Sequence, residues 1–149
     1  ANISWFGTPS MATVTIIVVS IWQNIGFLMI IYTAGLQTIP KDVMESAELD
    51  GCSGLKKVLK IELPLLMPTV TINLFVSISG AFKSFDIPNA MTGGGPYGPT
   101  MPVAMNIYQE AFTKYNLGYG SAKSVILFLT VAAVTLIQLY CTRKKEVEY

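Results

Sequence analysis

IPKDVMESAELDGCSGLKKVLKIELPLLMP, from Ile39 to Pro68, decides how this chain is read. The protein has ten basic and nine acidic side chains, and nine of those nineteen charges fall in this stretch. Residues 1–40 carry no charge, and neither do residues 63–82. A charged segment between two apolar ones is the pattern of a water-side loop joining membrane spans. The loop reads as two short helices with a hinge. Pro40 suits a first helical turn, where its missing N–H costs nothing. Asp42 and Glu45 lie early, where the helix dipole favours negative charge. The first helix is predicted to run to Leu49 or Asp50, with Gly51 as a left-handed stop. Ser53 is predicted to cap a second helix from Gly54 to about Glu62, carrying Lys56, Lys57 and Lys60 toward its C-terminal end. Pro64 and Pro68 then disturb the backbone where the next apolar run begins.

Working outward, three runs are long enough to cross a bilayer, which takes about 20 residues. They are 11–36, 65–86 and 121–142, joined by the charged loop at 39–63 and a loop at 87–118. The fold class predicted is therefore an all-α integral membrane protein with about three transmembrane helices and a helical loop in the cytoplasm. The segment 87–100, IPNAMTGGGPYGPT, is too rich in Gly and Pro for a regular helix and reads as a structured external loop. Val103, Ile107, Tyr108, Ala111 and Phe112 recur at helical spacing and predict a short interfacial helix after it. Arg143, Lys144 and Lys145 close the third span. Basic residues gather on the cytoplasmic side, which places the charged loop and the C-terminus there.

Composition narrows the function. Hydrophobic residues make up 52% of the chain and charged ones 13%, about half the charged share of a soluble domain. A net charge of +1 gives no basic surface for nucleic acid. There is no histidine, so the commonest general base and metal ligand is missing. Cys52 and Cys141 both fall at water-side positions in the cytoplasm, where a structural disulfide is not expected. Gly93-Gly94-Gly95 lacks the Gly-Lys-Ser/Thr ending of a phosphate loop, so the chain is expected to bind no ATP, no other cofactor and no metal itself.

Particular residues now carry a resemblance. Glu45-Ser46-Ala47, Asp50-Gly51 and Ile61-Glu62-Leu63-Pro64 resemble the "EAA" loop of ABC importer permeases, which reads roughly E-A-A-x-x-D-G-A followed by I-x-L-P. Ser46 and Cys52 depart from it, each by one small residue for another. The flanks, Ala34 to Pro40 before the loop and Leu63 to Leu66 after it, are similar to that family as well, and Met91 to Pro96 farther on resemble the external loop of its carbohydrate-uptake, maltose-type branch. The resemblance covers nearly the whole chain. It implies a permease subunit of an ATP-driven sugar importer in a bacterial or archaeal cell membrane, without an ATPase site of its own. It implies further spans before Ala1. The implied partners are a second permease subunit, two ATP-binding subunits that hold ATP and magnesium, and an extracytoplasmic solute-binding protein. It also implies that the first loop helix docks into the ATPase, with Glu45 as the main polar contact. Val43, Met44 and Ala47 would supply the apolar contact, Gly51 would set the turn, and Asp50 belongs to the same ATPase-coupling set. On composition alone a merely solvated loop is the simpler reading, and the ordered match outweighs it.

For a transport path the residues offer Gln23, Asn24 and Phe27 on the first span, and Asn73, Ser77, Gly80 and Ser84 at helical spacing on the second. Amides, hydroxyls and an aromatic face suit a neutral sugar. The same small residues also serve close helix packing, and both readings stand. Lys83 and Asp86 are spaced for an i, i+3 pair; a lysine there would otherwise attract an anionic substrate. An ion-coupled carrier or channel is the alternative function, and it would need an acidic residue or histidine inside the spans. An intramembrane enzyme has no catalytic set to work with.

Overall fold

The computed structural model describes residues 5–95 and 100–143. Every regular element among them is helical. α1 runs Pro9–Gln37. Pro9 takes the first helical position and the Thr8 hydroxyl accepts the Met11 N–H at 3.4 Å, so the start is capped. Polar side chains along α1 bond back one turn: Thr13 to Pro9, Thr15 to Met11, Ser20 to Ile16 and Thr33 to Met29, at 2.7–2.9 Å. Each hydroxyl is thereby satisfied inside its own helix, which makes it tolerable in lipid. Trp22 (77% exposed), Ile30 and Met29 stand open on its surface.

After α2 (Lys41–Leu49) come α3 (Leu55–Lys57), a π turn (Val58–Glu62) and α4 (Leu63–Leu65), one continuous helical run. α5 follows at Met67–Phe82, bent 69° from that run. The bend has a local cause. Pro68 has no N–H to give the Pro64 carbonyl, and its ring crowds that carbonyl. The π turn just upstream makes room for Pro64 in the helix, the Leu63 N–H bonding back to Val58. This corrects the second loop helix, which reaches Leu65 rather than Glu62. Its N-cap is Gly54, at φ 58 and ψ −136, not Ser53. That backbone region is open to glycine alone, so the residue at the cap is chosen by conformation rather than by a side-chain acceptor.

The predicted 65–86 span shortens to Met67–Phe82. α1 and α8 (Leu117–Arg143) are each long and apolar enough to cross a membrane, and the bent pair supplies a third crossing if counted as one. The Gly/Pro-rich segment also departs from expectation, since residues 86–92 form α6 (Asp86–Thr92). Pro88 falls in the first turn, where no N–H is needed, and is fully buried. Asp86 sits at the favoured end of the dipole. Gly93, at φ 57, closes the helix. Pro96 of the external motif, Lys144 and Lys145 lie outside the described residues. The predicted interfacial helix is α7 (Val103–Tyr108), running on through a π turn (Gln109–Thr113).

The chain forms two compact units. One joins the start of α1, up to Ile25, to Ile78–Val134; the other joins Gly26–Ser77 to the end of α8 from Thr135. Inside the second, Gly35 of α1 meets Thr69 of α5 so closely that a Cβ would collide with the threonine side chain. Inside the first, a Cβ on Gly120 would lie 2.8 Å from the Ala111 Cβ, which presses the start of α8 onto the π turn.

Candidate functional site

α2 is nine residues closed by a complete C-terminal turn. Pro40 is extended (φ −60, ψ 135) and stands just before the helix rather than in its first turn. At the other end the Cys52 N–H bonds to the Ala47 carbonyl at 2.9 Å and the Gly51 N–H to Glu48 at 3.0 Å. With Gly51 at φ +73, this is the six-to-one, five-to-two pattern of a Schellman motif. Lys57 Nζ reaches Glu48 Oε1 at 2.7 Å and ties α2 to α3. Hydrogen bonding to Lys57, aided by its charge, holds the Glu48 carboxyl below its ordinary value; the same hydrogen bond raises the Lys57 ammonium.

The two faces of α2 differ. Val43 and Met44 are half-buried and Ala47 is buried within this chain. Asp42, Glu45, Ser46 and Leu49 point the other way, with Leu49 89% exposed. Glu45 has no hydrogen bond or ion pair among the described residues. The resemblance implied that Val43, Met44 and Ala47 supply the apolar contact to the ATPase. The structure turns that side inward at Ala47, because those residues fall on one helical face and their own chain covers it. Leu49 is the apolar side chain left outside, next to Glu45.

The path residues do not all share a surface. Gln23 and Asn24 are exposed on α1, and Asn24 Nδ2 bonds back to the Ser20 carbonyl at 2.8 Å. Phe27 is exposed as well. Ser77 is exposed on α5, and nothing lies within 4 Å of a Cβ placed on Gly80. Asn73 breaks the stripe. It is 3% exposed, its Nδ2 lies 3.5 Å from the Leu28 carbonyl of α1, and its Oδ1 has no partner. It packs helix on helix in this chain. Ser84 stands beyond the end of α5, in the turn before α6, and is half-buried. No ion pair joins Lys83 and Asp86 among the described residues, since the helix stops between them and the i, i+3 geometry is lost.

Residues 1–147 match the family described as binding-protein-dependent transport system inner membrane components. The chain belongs to this family. It is similar to the probable starch degradation products transport permease AmyD of Thermoanaerobacterium thermosulfurigenes, at 38% identity over 97% of the chain and 49% of that protein. It is similar to the sulfoquinovosyl glycerol transport permease SmoG of Agrobacterium fabrum, at 39% over 97% of the chain and 47% of the relative. The trehalose/maltose transport permease MalF of Thermococcus litoralis is 37% identical over 92% of the chain and 46% of its own length. The chain thus spans about half the length of these relatives. Membership sets aside the ion-coupled carrier or channel and makes the chain an all-α membrane component of a binding-protein-dependent transport system.

Two polar clusters in this inner membrane component escaped the sequence reading. Gln138 of α8 donates from Nε2 to the Thr71 carbonyl of α5 at 3.4 Å and to Thr142 Oγ1 at 2.9 Å, while its Oε1 is buried without a partner. An amide in an apolar span was the signal. Glu110 lies buried in the π turn with Lys114 Nζ at 2.8 Å and Lys123 Nζ at 3.6 Å. The hydrogen bond from Lys114 leads in holding the Glu110 carboxyl below the usual range, and burial opposes it. The i, i+4 spacing of Glu110 and Lys114 was legible; Lys123, thirteen residues from Glu110, was not.

Proposed function

We propose that the chain is half of a permease subunit in an ATP-driven sugar importer, and that α2 is the peg by which cytoplasmic ATPases move it. The observation that carries this is the construction of α2. It is closed at Gly51, anchored through Ala47 and the Glu48–Lys57 pair, and left with Glu45 and Leu49 facing outward. A short helix fastened to its neighbour through its C-terminal turn carries displacement along instead of swinging free, and an unpaired carboxylate beside an exposed leucine suits a partner with a basic side chain in an apolar cleft. The ATPases hold ATP and magnesium; this chain binds neither in this reading. The charged loop and C-terminus are cytoplasmic, and the α6–α7 segment faces an extracytoplasmic solute-binding protein. The sugar passes between these spans and a second permease subunit, along Gln23, Asn24, Phe27, Ser77 and Gly80. The names of the relatives support a starch-derived, maltose-like or related glycoside substrate.

The test is Glu45→Ala in the reconstituted full transporter, read by sugar uptake and substrate-stimulated ATPase rate. A charge-assisted hydrogen bond is worth about 1.5–3 kcal/mol, so docking is expected to weaken roughly tenfold or more, with uptake falling alongside it. Uptake and stimulation at the unmodified level would remove the peg from the account.

A further inference from the structure

α8 carries a basic residue near each end of its apolar run. Lys123 and Arg143 stand 20 positions apart on one helix, about 30 Å at 1.5 Å per residue, which is the thickness of bilayer hydrocarbon. Lys123 therefore marks one boundary of the hydrocarbon. Beside it opens a cleft of about 670 Å³ within the first unit. Phe82, Val103, Ile126 and Leu127 form its apolar wall, while Asn106 and Lys123 give it a polar end. Ile126 and Leu127 follow Lys123 by one turn and so lie deeper in the membrane.

The polar end has charge and donors to spare. One carboxylate, Glu110, is shared by two ammonium groups: Lys114 at 2.8 Å and Lys123 at 3.6 Å. The cluster is left with one positive charge. Lys123 Nζ gives one hydrogen bond to Asn106 Oδ1 at 2.7 Å and lies 4.3 Å from the Tyr119 ring centre. An ammonium has three donors, so capacity remains. Asn106 Nδ2 meets Met101 Sδ at 3.7 Å, a weak acceptor that leaves its second N–H open. We propose that this cleft is a site for an anionic phospholipid, its phosphate held by Lys123 and Asn106 and an acyl chain lying along Phe82, Ile126 and Leu127. Residual positive charge, free donors at the hydrocarbon boundary and a greasy wall running inward match the two parts of that molecule. A neutral sugar would find almost no hydroxyl partners along the same wall.

The experiment uses the full transporter. It is stripped of lipid, offered an equal mixture of phosphatidylglycerol and phosphatidylcholine, and read by native mass spectrometry. One basic contact near a charged headgroup gives a roughly fivefold preference for phosphatidylglycerol. Lys123→Gln is expected to abolish that preference and Lys123→Arg to keep it. Ile126→Trp, which fills the cleft and leaves the charge in place, is expected to lower retention of the anionic lipid. Equal retention of both lipids by the unmodified protein would overturn the proposal, as would an unchanged preference in Lys123→Gln or undiminished retention in Ile126→Trp. Displacement of the lipid by millimolar inorganic phosphate would also overturn it, making the site one for soluble anions.

Discussion

The segments on either side of α5, residues 39–66 and 86–116, are built from the same parts and use them differently. Each contains a five-residue π turn, Val58–Glu62 in one and Gln109–Thr113 in the other. Each is held by a Lys–Glu pair at 2.7–2.8 Å. In the first the carboxylate is mostly in water, the Glu48 side chain being 61% exposed; in the second the Glu110 side chain is 12% exposed. Water screens the first pair and competes for it, whereas the second has lost much of its hydration and depends on its partners. The first segment keeps its surface available, with Glu45 and Leu49 outward. The second turns its charge inward and holds the base of α8. Placement, more than composition, separates a segment that leaves its charge in water from one that buries it.

The largest expected effect tests the first segment. Gly51→Pro imposes φ near −65° where the backbone sits at +73°. It removes the N–H that bonds to Glu48 as well. Uptake is expected to fall to background while the subunits still co-purify, as measured by transport into vesicles beside pull-down of the ATPase. Normal uptake would mean that the orientation of α2 does not matter.

Next comes Glu110→Gln, which removes the buried carboxylate shared by the exposed Lys114 and the half-buried Lys123. A lower thermal midpoint is expected in detergent near neutral pH. The pH dependence follows from the depressed carboxyl. Its folded value lies below its unfolded one, so its contribution is complete above the ordinary carboxylate range and fades as pH falls through that range toward the folded value. The gap between the original protein and Glu110→Gln should therefore narrow on acidification. A gap independent of pH would assign the loss to packing.

The smallest effect belongs to Glu48→Gln. The pair with Lys57 is solvent-exposed on the glutamate side, and a shift in midpoint well below that of Glu110→Gln is expected, fading further in high salt. Equal shifts in the two variants would erase the contrast between the segments.

Much of the loop is legible in its residues. Gly51 as a left-handed stop followed from its place after a helix started by Pro40, Asp42 and Glu45, and α2 ends where that reading put its end. Glu45 was singled out by motif, and it stands exposed. The path residues fared less evenly, because periodicity reports which residues share a face and not what covers that face. Asn73 and Ser77 are one turn apart on α5, yet Asn73 is sealed against α1 while Ser77 is open. The helix at 86–92 was hidden by counting prolines without regard to position: Pro88 in a first turn is harmless.

Charge patterning and hydropathy by themselves determined that this is a helical membrane protein with a charged loop between spans, because an apolar run of bilayer length has no other comfortable solvent. Residue order alone also marked that loop as its most distinctive part. Only the tertiary structure decided which face of α2 is turned outward, that Asn73 is sealed against α1, and that Lys123 joins Asn106 and Glu110 beside a cleft. Those outcomes depend on contacts between residues far apart in the chain, and local propensity holds no record of them.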